Sequence, residues 1–169
     1  MAAEDIIKYL GLVIDGRGYA GKIEEYNAPD LTLKTEEFRA GAMDAPIDIT
    51  MGMEKLVVSY VLTSYDADVL ALWGVKIGSS GIQSTARASL ESLDGTTTPI
   101  IHNHTGKIIS IARGTWGSGN KPSLTITQSL TFYREVHGGR VLYEIDVLGM
   151  KRVIDGVDHL AAHRKNIGI

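Results

Sequence analysis

The chain has 169 residues, 44% of them apolar and 22% charged, enough for one domain over residues 1–169 with a core that needs no covalent staples. It has no cysteine, which excludes disulfides, thiolate metal sites and thiol catalysis and fits a cytoplasmic folding environment. A formal net charge of −3 argues against a groove that grips nucleic acid. Acidic Glu4 and Asp5 stand where a signal peptide would begin basic. Apolar runs such as Val69–Val75 fall far short of the ~20 residues of a membrane helix, so no membrane anchor is expected.

Strand signals dominate in chain order. Tyr9–Ile14 is an apolar run that stops at Asp15-Gly16, a dipeptide suited to the positive backbone angles of a tight hairpin turn; Tyr19–Tyr26 is the expected return strand. Leu31–Phe38 alternates Leu31, Leu33 and Thr35 with Thr32, Lys34 and Glu36, the period of a half-buried strand. Ile47, Ile49 and Met51 alternate in the same way, and Lys55–Thr63 is another β-rich run. One helix is expected where Asp66 or Asp68 can cap Val69, Leu70, Leu72 and Trp73 before Gly74. So short a helix must lie on a sheet.

Strands resume at Ser84–Leu93, Lys107–Trp116, Ser123–Arg134 and Arg140–Val147, with Gly138-Gly139 as a second hairpin signal. Val157–Asn166 carries a weak helical pattern. About nine strands around one packed helix predict a mainly β fold, a barrel or sandwich. All four prolines (Pro29, Pro46, Pro99, Pro122) are expected between strands. Little then protects the sheet edges, and other copies of the chain are expected to cover them.

Charge is unevenly distributed. Residues 24–55 hold eight acids and three bases, whereas residues 76–140 hold seven bases against Glu91, Asp94 and Glu135. This describes either two ordinary solvated surfaces or a self-complementary subunit whose acidic and basic faces meet across a repeated contact.

Three patterns imitate catalytic sites. His102-Asn103-His104 superficially matches a metal-nuclease motif, but its place after Pro99 reads as a polar turn. His159 and His163 stand four apart, yet Leu160 occupies the position where a zinc protease holds its general base. Gly114–Lys121 spaces its glycines like a phosphate loop, but Asn120 and Pro122 break the required Gly-Lys-Ser/Thr sequence; it reads as a hairpin tip. No catalytic, metal or cofactor residue is assigned.

Two stretches carry a more specific likeness: Thr35–Gly52 (TEEFRAGAMDAPIDITMG) and Tyr143–Ile169, which ends GVDHLAAHRKNIGI. With Ile14-Asp15-Gly16 and Phe132-Tyr133 they resemble the major tail tube family of contractile-tailed phages and R-type pyocins. The family's R-x-G-G-M-like loop maps onto Arg39, Gly41 and Met43, and its strand end onto Gly52. Its closing motif maps onto Gly156, Val157, Asp158, Leu160, Arg164, Gly168 and Ile169. Ala42 replaces the loop's second glycine, and Ile111–Lys121 lacks an acidic, proline-containing loop found in relatives.

The resemblance implies a β-barrel subunit similar to the type VI secretion tube protein, built into hexameric rings that stack as a virion's inner tail tube. It implies no cofactor and no catalysis. The implied partners are further copies, the sheath, baseplate and terminator proteins, and the tape measure protein and DNA in the lumen, with assembly in the host cytoplasm. Arg39, Gly41, Met43, Asp44, Pro46, Met51 and Gly52 are the expected assembly contacts, with Asp158, Arg164 and Ile169; a loop packed within the subunit is the alternative. A lumen that repels DNA weakly would draw on acids of one sheet face, with Glu24, Glu36, Asp48 and Glu91 as candidates. A type VI-like tube, and a monomeric β-sandwich module binding sugar or peptide through loops 95–104 and 114–121, are the competing readings. A phage and a tailocin are not separable here.

Overall fold

The structure, a computed structural model, describes residues 5–74 and 81–169; Glu4, Val75 and Lys76 of the sequence reading lie outside them. Among the described residues there are twelve strands and two short helices. The strands begin with β1 (Ile6–Ile14), β2 (Arg17–Gly18), β3 (Ile23–Asn27), β4 (Leu33–Phe38), β5 (Ile47–Met53) and β6 (Val57–Leu62). Helix α1 (Ala67–Ala71) follows, then β7 (Ile82–Glu91), β8 (Thr97–Ala112), β9 (Leu124–His137), β10 (Arg140–Asp146), β11 (Lys151–Ile154) and β12 (Val157–Asp158). The chain closes with α2 (Ala161–Ile167). No helix among the described residues is long and apolar enough to cross a membrane.

One sheet runs in the order β12-β11-β10-β9-β8-β7-β1-β2 and is antiparallel at every pairing. Long β9 shares its second edge: β6 pairs with Leu124–Ser129 and β10 with Phe132–His137. β3 then pairs with β6 and approaches β1, so this part of the sheet rolls toward a barrel. Leu12, Ile14, Val58, Tyr60, Leu62, Ile108, Leu124 and Ile126 fill the roll and are fully buried, each such side chain stabilising by about 1.5–3 kcal/mol over exposure. α1 lies on the roll as its spacing predicts. Asp66 Oδ1 accepts from the amides of Asp68 (3.0 Å) and Val69 (3.4 Å), and Val69 enters the core.

Several expectations are corrected. The hairpin at Asp15-Gly16 forms, with φ of 48° and 78°, but its return strand is only Arg17–Gly18, and Ile23–Asn27 leaves to pair with β6. The strand expected from Lys107 begins at Thr97, so Pro99 lies inside β8 opposite Ser89. The 102–104 segment is therefore strand and not a polar turn, and of the two expected binding loops 95–104 is strand from Thr97 while 114–121 is a loop. β11 and β12 flank a turn at Asp155-Gly156, with φ of 49° and 82°, so Val157–Asp158, the start of the weak helical pattern, is strand. The weak helical pattern of Val157–Asn166 holds from Ala161 onward as α2, a second helix beside the packed one.

Candidate assembly surface

β4 and β5 stand apart as a separate two-stranded ribbon. Every residue of β4 is exposed, as is every residue of β5 except Met53, which packs at the core. The expected half-buried strand is thus bare on both faces. Lys34↔Gly52, Glu36↔Ile49 and Phe38↔Ile47 form one face, and Thr35↔Thr50 and Glu37↔Asp48 the other. The first face is apolar, with Phe38 50%, Ile47 53% and Ile49 43% exposed. A lone two-stranded hairpin is marginal in water, and apolar groups left bare on it point to a protein partner.

The ribbon's tip is held locally. Arg39 Nε donates to the Met43 carbonyl at 3.0 Å, and the Met43 amide donates to the Ala40 carbonyl at 3.0 Å. Arg39 and Met43 are therefore joined across the turn. Gly41, Asp44 and Pro46 are exposed around it, as is Met51 on β5. Gly52 has φ of 123°, which glycine alone adopts freely. The structure thus brings Arg39, Gly41, Met43, Asp44, Pro46, Met51 and Gly52 together on one projecting element.

The C-terminal candidates divide. Arg164 Nη2 donates to Asp158 Oδ2 at 2.6 Å and Arg164 Nη1 to the Met150 carbonyl at 2.9 Å. Asp158 Oδ1 accepts from the Leu160 amide at 3.0 Å. The Arg164 guanidinium, then the Leu160 amide, hold the Asp158 carboxyl well down, at about 2. Asp158 and Arg164 form an internal clasp that ties α2 to the sheet; Ile169 is exposed beyond it.

The four acids expected on one sheet face do not share one. Glu24 sits on β3 and meets Lys121 at 3.2 Å, Glu36 and Asp48 lie on opposite faces of the ribbon, and Glu91 ends β7. The charge asymmetry is in part satisfied within the subunit, by Glu24–Lys121 and Arg140–Asp155. The main sheet's non-core face carries instead a field of hydroxyls and amides. Asn103 Nδ2 donates to Thr85 Oγ1 (3.0 Å), Asn27 Nδ2 donates to Ser59 Oγ (3.2 Å), and Thr105, Thr127 and Ser129 lie among them.

The histidines form no metal site: no three His, Asp or Glu side chains converge among the described residues. His104 and His102 point to the core side of β8. Burial, then the neighbouring His102, push His104 down to about 4. His102 Nε2 lies 3.7 Å from Glu135, its Nδ1 lies 3.2 Å from Tyr26 Oη, and Tyr133 Oη donates to Glu135 at 2.8 Å. Burial lowers the His102 pKa, with Glu135 opposing. This polar seam between β3, β8 and β9 was not visible in the sequence. His159 and His163 are exposed near the C-terminus.

Known proteins agree with this arrangement. The family model described as "Phage tail tube protein FII" matches residues 4–168. The chain belongs to that family. It is 27% identical over 172 residues to the tail tube protein of Escherichia phage P2, covering 100% of both chains. It is 24% identical to the major tail tube protein of Serratia phage KSP20, over 92% of this chain and 91% of that one.

Solved structures share the fold at 10% identity. One is from the sheath–tube complex of an extracellular contractile injection system, at a TM-score of 0.57 over 76% of this chain and 88% of that chain. A second is from that system's sheath/tube terminator, at 0.56 over 76% and 93%. A third is from an anti-feeding prophage baseplate, at 0.52 over 78% and 95%. The likeness read from Arg39–Gly52 and the C-terminal motif is borne out: this is a tail tube subunit, a structural component of the virion tail.

Proposed function

We propose that the chain builds the inner tube of a contractile tail, as hexameric rings of identical subunits stacked along a hollow axis. The observation that carries the assembly reading is the β4–β5 ribbon, bare on both faces and apolar on one. It projects from the domain as a heterologous contact element would, one face of each copy meeting a different face of the next. The ribbon, with Arg39 and Met43 at its tip, is the axial contact between rings, and Ile169 adds to the contacts of the C-terminal end.

The names of the similar proteins, which place them in a sheath–tube complex, a tube terminator and a baseplate, support sheath, terminator and baseplate proteins as partners. In a phage the lumen holds the tape measure protein and then DNA; in a tailocin the empty tube punctures the envelope. No catalytic group or cofactor enters this role. The lumen wall is the non-core face of β6–β9–β8–β7, where Thr85, Asn103, Thr105, Thr127 and Ser129 hold water. The same face carries Arg87, Lys107 opposite Ser129, and Arg134 opposite Asn103, the last paired with Glu144, so a duplex carrying one negative charge per ~1.7 Å would meet a few cations spaced among neutral hydroxyls and amides.

Met43→Asp combined with Ala45→Asp tests the ribbon's role. Short or absent tubes by electron microscopy, with an unchanged subunit melting curve, is the expected result. Tubes of normal length would reject it.

A further inference from the structure

A groove of about 460 Å³ opens on the core side of β10 and β11, where the sheet extends beyond the rolled part. Leu56, Leu130, Ile145, Val147 and Leu160 make its walls predominantly apolar. A volume of this order is typical of sites that enclose a whole small ligand, so it has room for two adjacent apolar side chains. Its lining also includes the charged side chains Lys55, Lys151, Arg152, Glu54 and Asp146. Arg152 points to the core side opposite Ile145, and its Nε is buried with no hydrogen-bond partner among the described residues. A buried, unpaired donor is costly, and a carboxylate brought into the groove would satisfy it.

The ribbon's apolar face offers the complement: Phe38 and Ile47 side by side at its far end, with Glu36 and Ile49 as the next pair. It does not reach its own groove. Gly52–Leu56, at the ribbon's base, form one wall of the groove, and Ile47 lies five residues beyond Gly52, about 17 Å at ~3.3 Å per residue. Knob and hole are thus offset on one subunit, the geometry that propagates from copy to copy.

We infer that the apolar groove between β10–β11 and the ribbon's base receives the far end of the β4–β5 ribbon of a second copy, with Phe38 and Ile47 filling it and Glu36 reaching Arg152. This rests on the tube reading and names the receptor that the ribbon requires.

The cysteine-free chain permits a direct test. Ile47→Cys with Val147→Cys, oxidised in assembled tubes, is expected to give a ladder of covalent oligomers on denaturing gels, while either single variant stays monomeric. Independently, Glu36→Arg and Arg152→Glu are each expected to cut tube yield at least tenfold, and the two together to restore most of it. Tubes that form normally yet give no ladder, with no rescue in the doubly swapped protein, would overturn the receptor assignment and leave the tube reading standing. A small molecule found filling the groove in assembled tubes would also overturn it. Failure of the unaltered chain to form any annular species would overturn both.

Discussion

Glu37 and Asp48 stand directly opposite one another across the β4–β5 ladder, two like charges on an exposed ribbon that carries no third strand. Cross-strand pairs of like charge destabilise a hairpin by roughly 0.2–1 kcal/mol relative to neutral pairs. The pair works against the isolated subunit, and a basic neighbour in the proposed assembly would offset it. Asp48→Lys should therefore leave the subunit's melting temperature equal or slightly higher while lowering tube yield. Thermal melts beside pelleting assays at low and high salt check this. A gain in both stability and assembly would contradict it.

The buried histidine predicts a pH dependence. His104 is neutral when folded, with its pKa near 4, against about 6.5 in an unfolded chain. Between those values the unfolded state binds the extra proton, so stability falls as pH drops from about 6.5 to about 4, by about 3 kcal/mol, and is unaffected above that window. Urea unfolding at pH 7.5 and pH 4.5 should show the loss. His104→Leu should reduce it, leaving the smaller dependence of the same sign from His102.

The clasp at the C-terminus titrates in the opposite sense. The Asp158 carboxyl is depressed to about 2 by Arg164, so its contribution is fully present above the ordinary carboxylate pKa near 4 and is lost as pH falls through about 2. Amide exchange should show α2 protected at pH 4 in the unaltered protein. Arg164→Ala should expose α2 at every pH while the core strands keep their protection.

Gly106 sits at a bulge in the β8–β9 pairing. A Cβ there would lie 2.9 Å from Leu130 Cα and run into the Ser129 carbonyl. Gly106→Ala must push two backbones apart, at a cost of about 1–3 kcal/mol by analogy with overpacked cores. Gly18→Ala, with open space around it, should change stability by no more than about 0.5 kcal/mol. Melting of the two variants side by side separates the effects.

Much of the fold was legible because its signals are local. Asp15-Gly16 and Gly138-Gly139 mark turns through their backbone angles, and Asp66 marks a helix start through its capping oxygen. What failed depends on distant partners. The alternation of Leu31–Phe38 shows that a strand has two faces, not whether anything in the same subunit covers them; here nothing among the described residues does. Pro99 tolerates a strand because local ladder geometry can leave its missing N–H without consequence, so a proline alone did not bound β8. Asp155-Gly156 offered the same turn signal as Asp15-Gly16 but was masked by the helical spacing of the residues after it. For the site, the ribbon's residues were found through a resemblance, whereas Asp158 and Arg164 came with the same motif and serve to hold the subunit together. The groove was hidden because its walls come from β5–β6, β9 and β10–β11, far apart in sequence.

The most direct measurement is electron microscopy of the purified protein, alone and together with its sheath partner. Rings with sixfold symmetry, stacked into tubes with an open axis, are the predicted result. A uniform population of monomers under both conditions, with no annular species at any concentration, would contradict the claim that identical neighbours complete this β-fold.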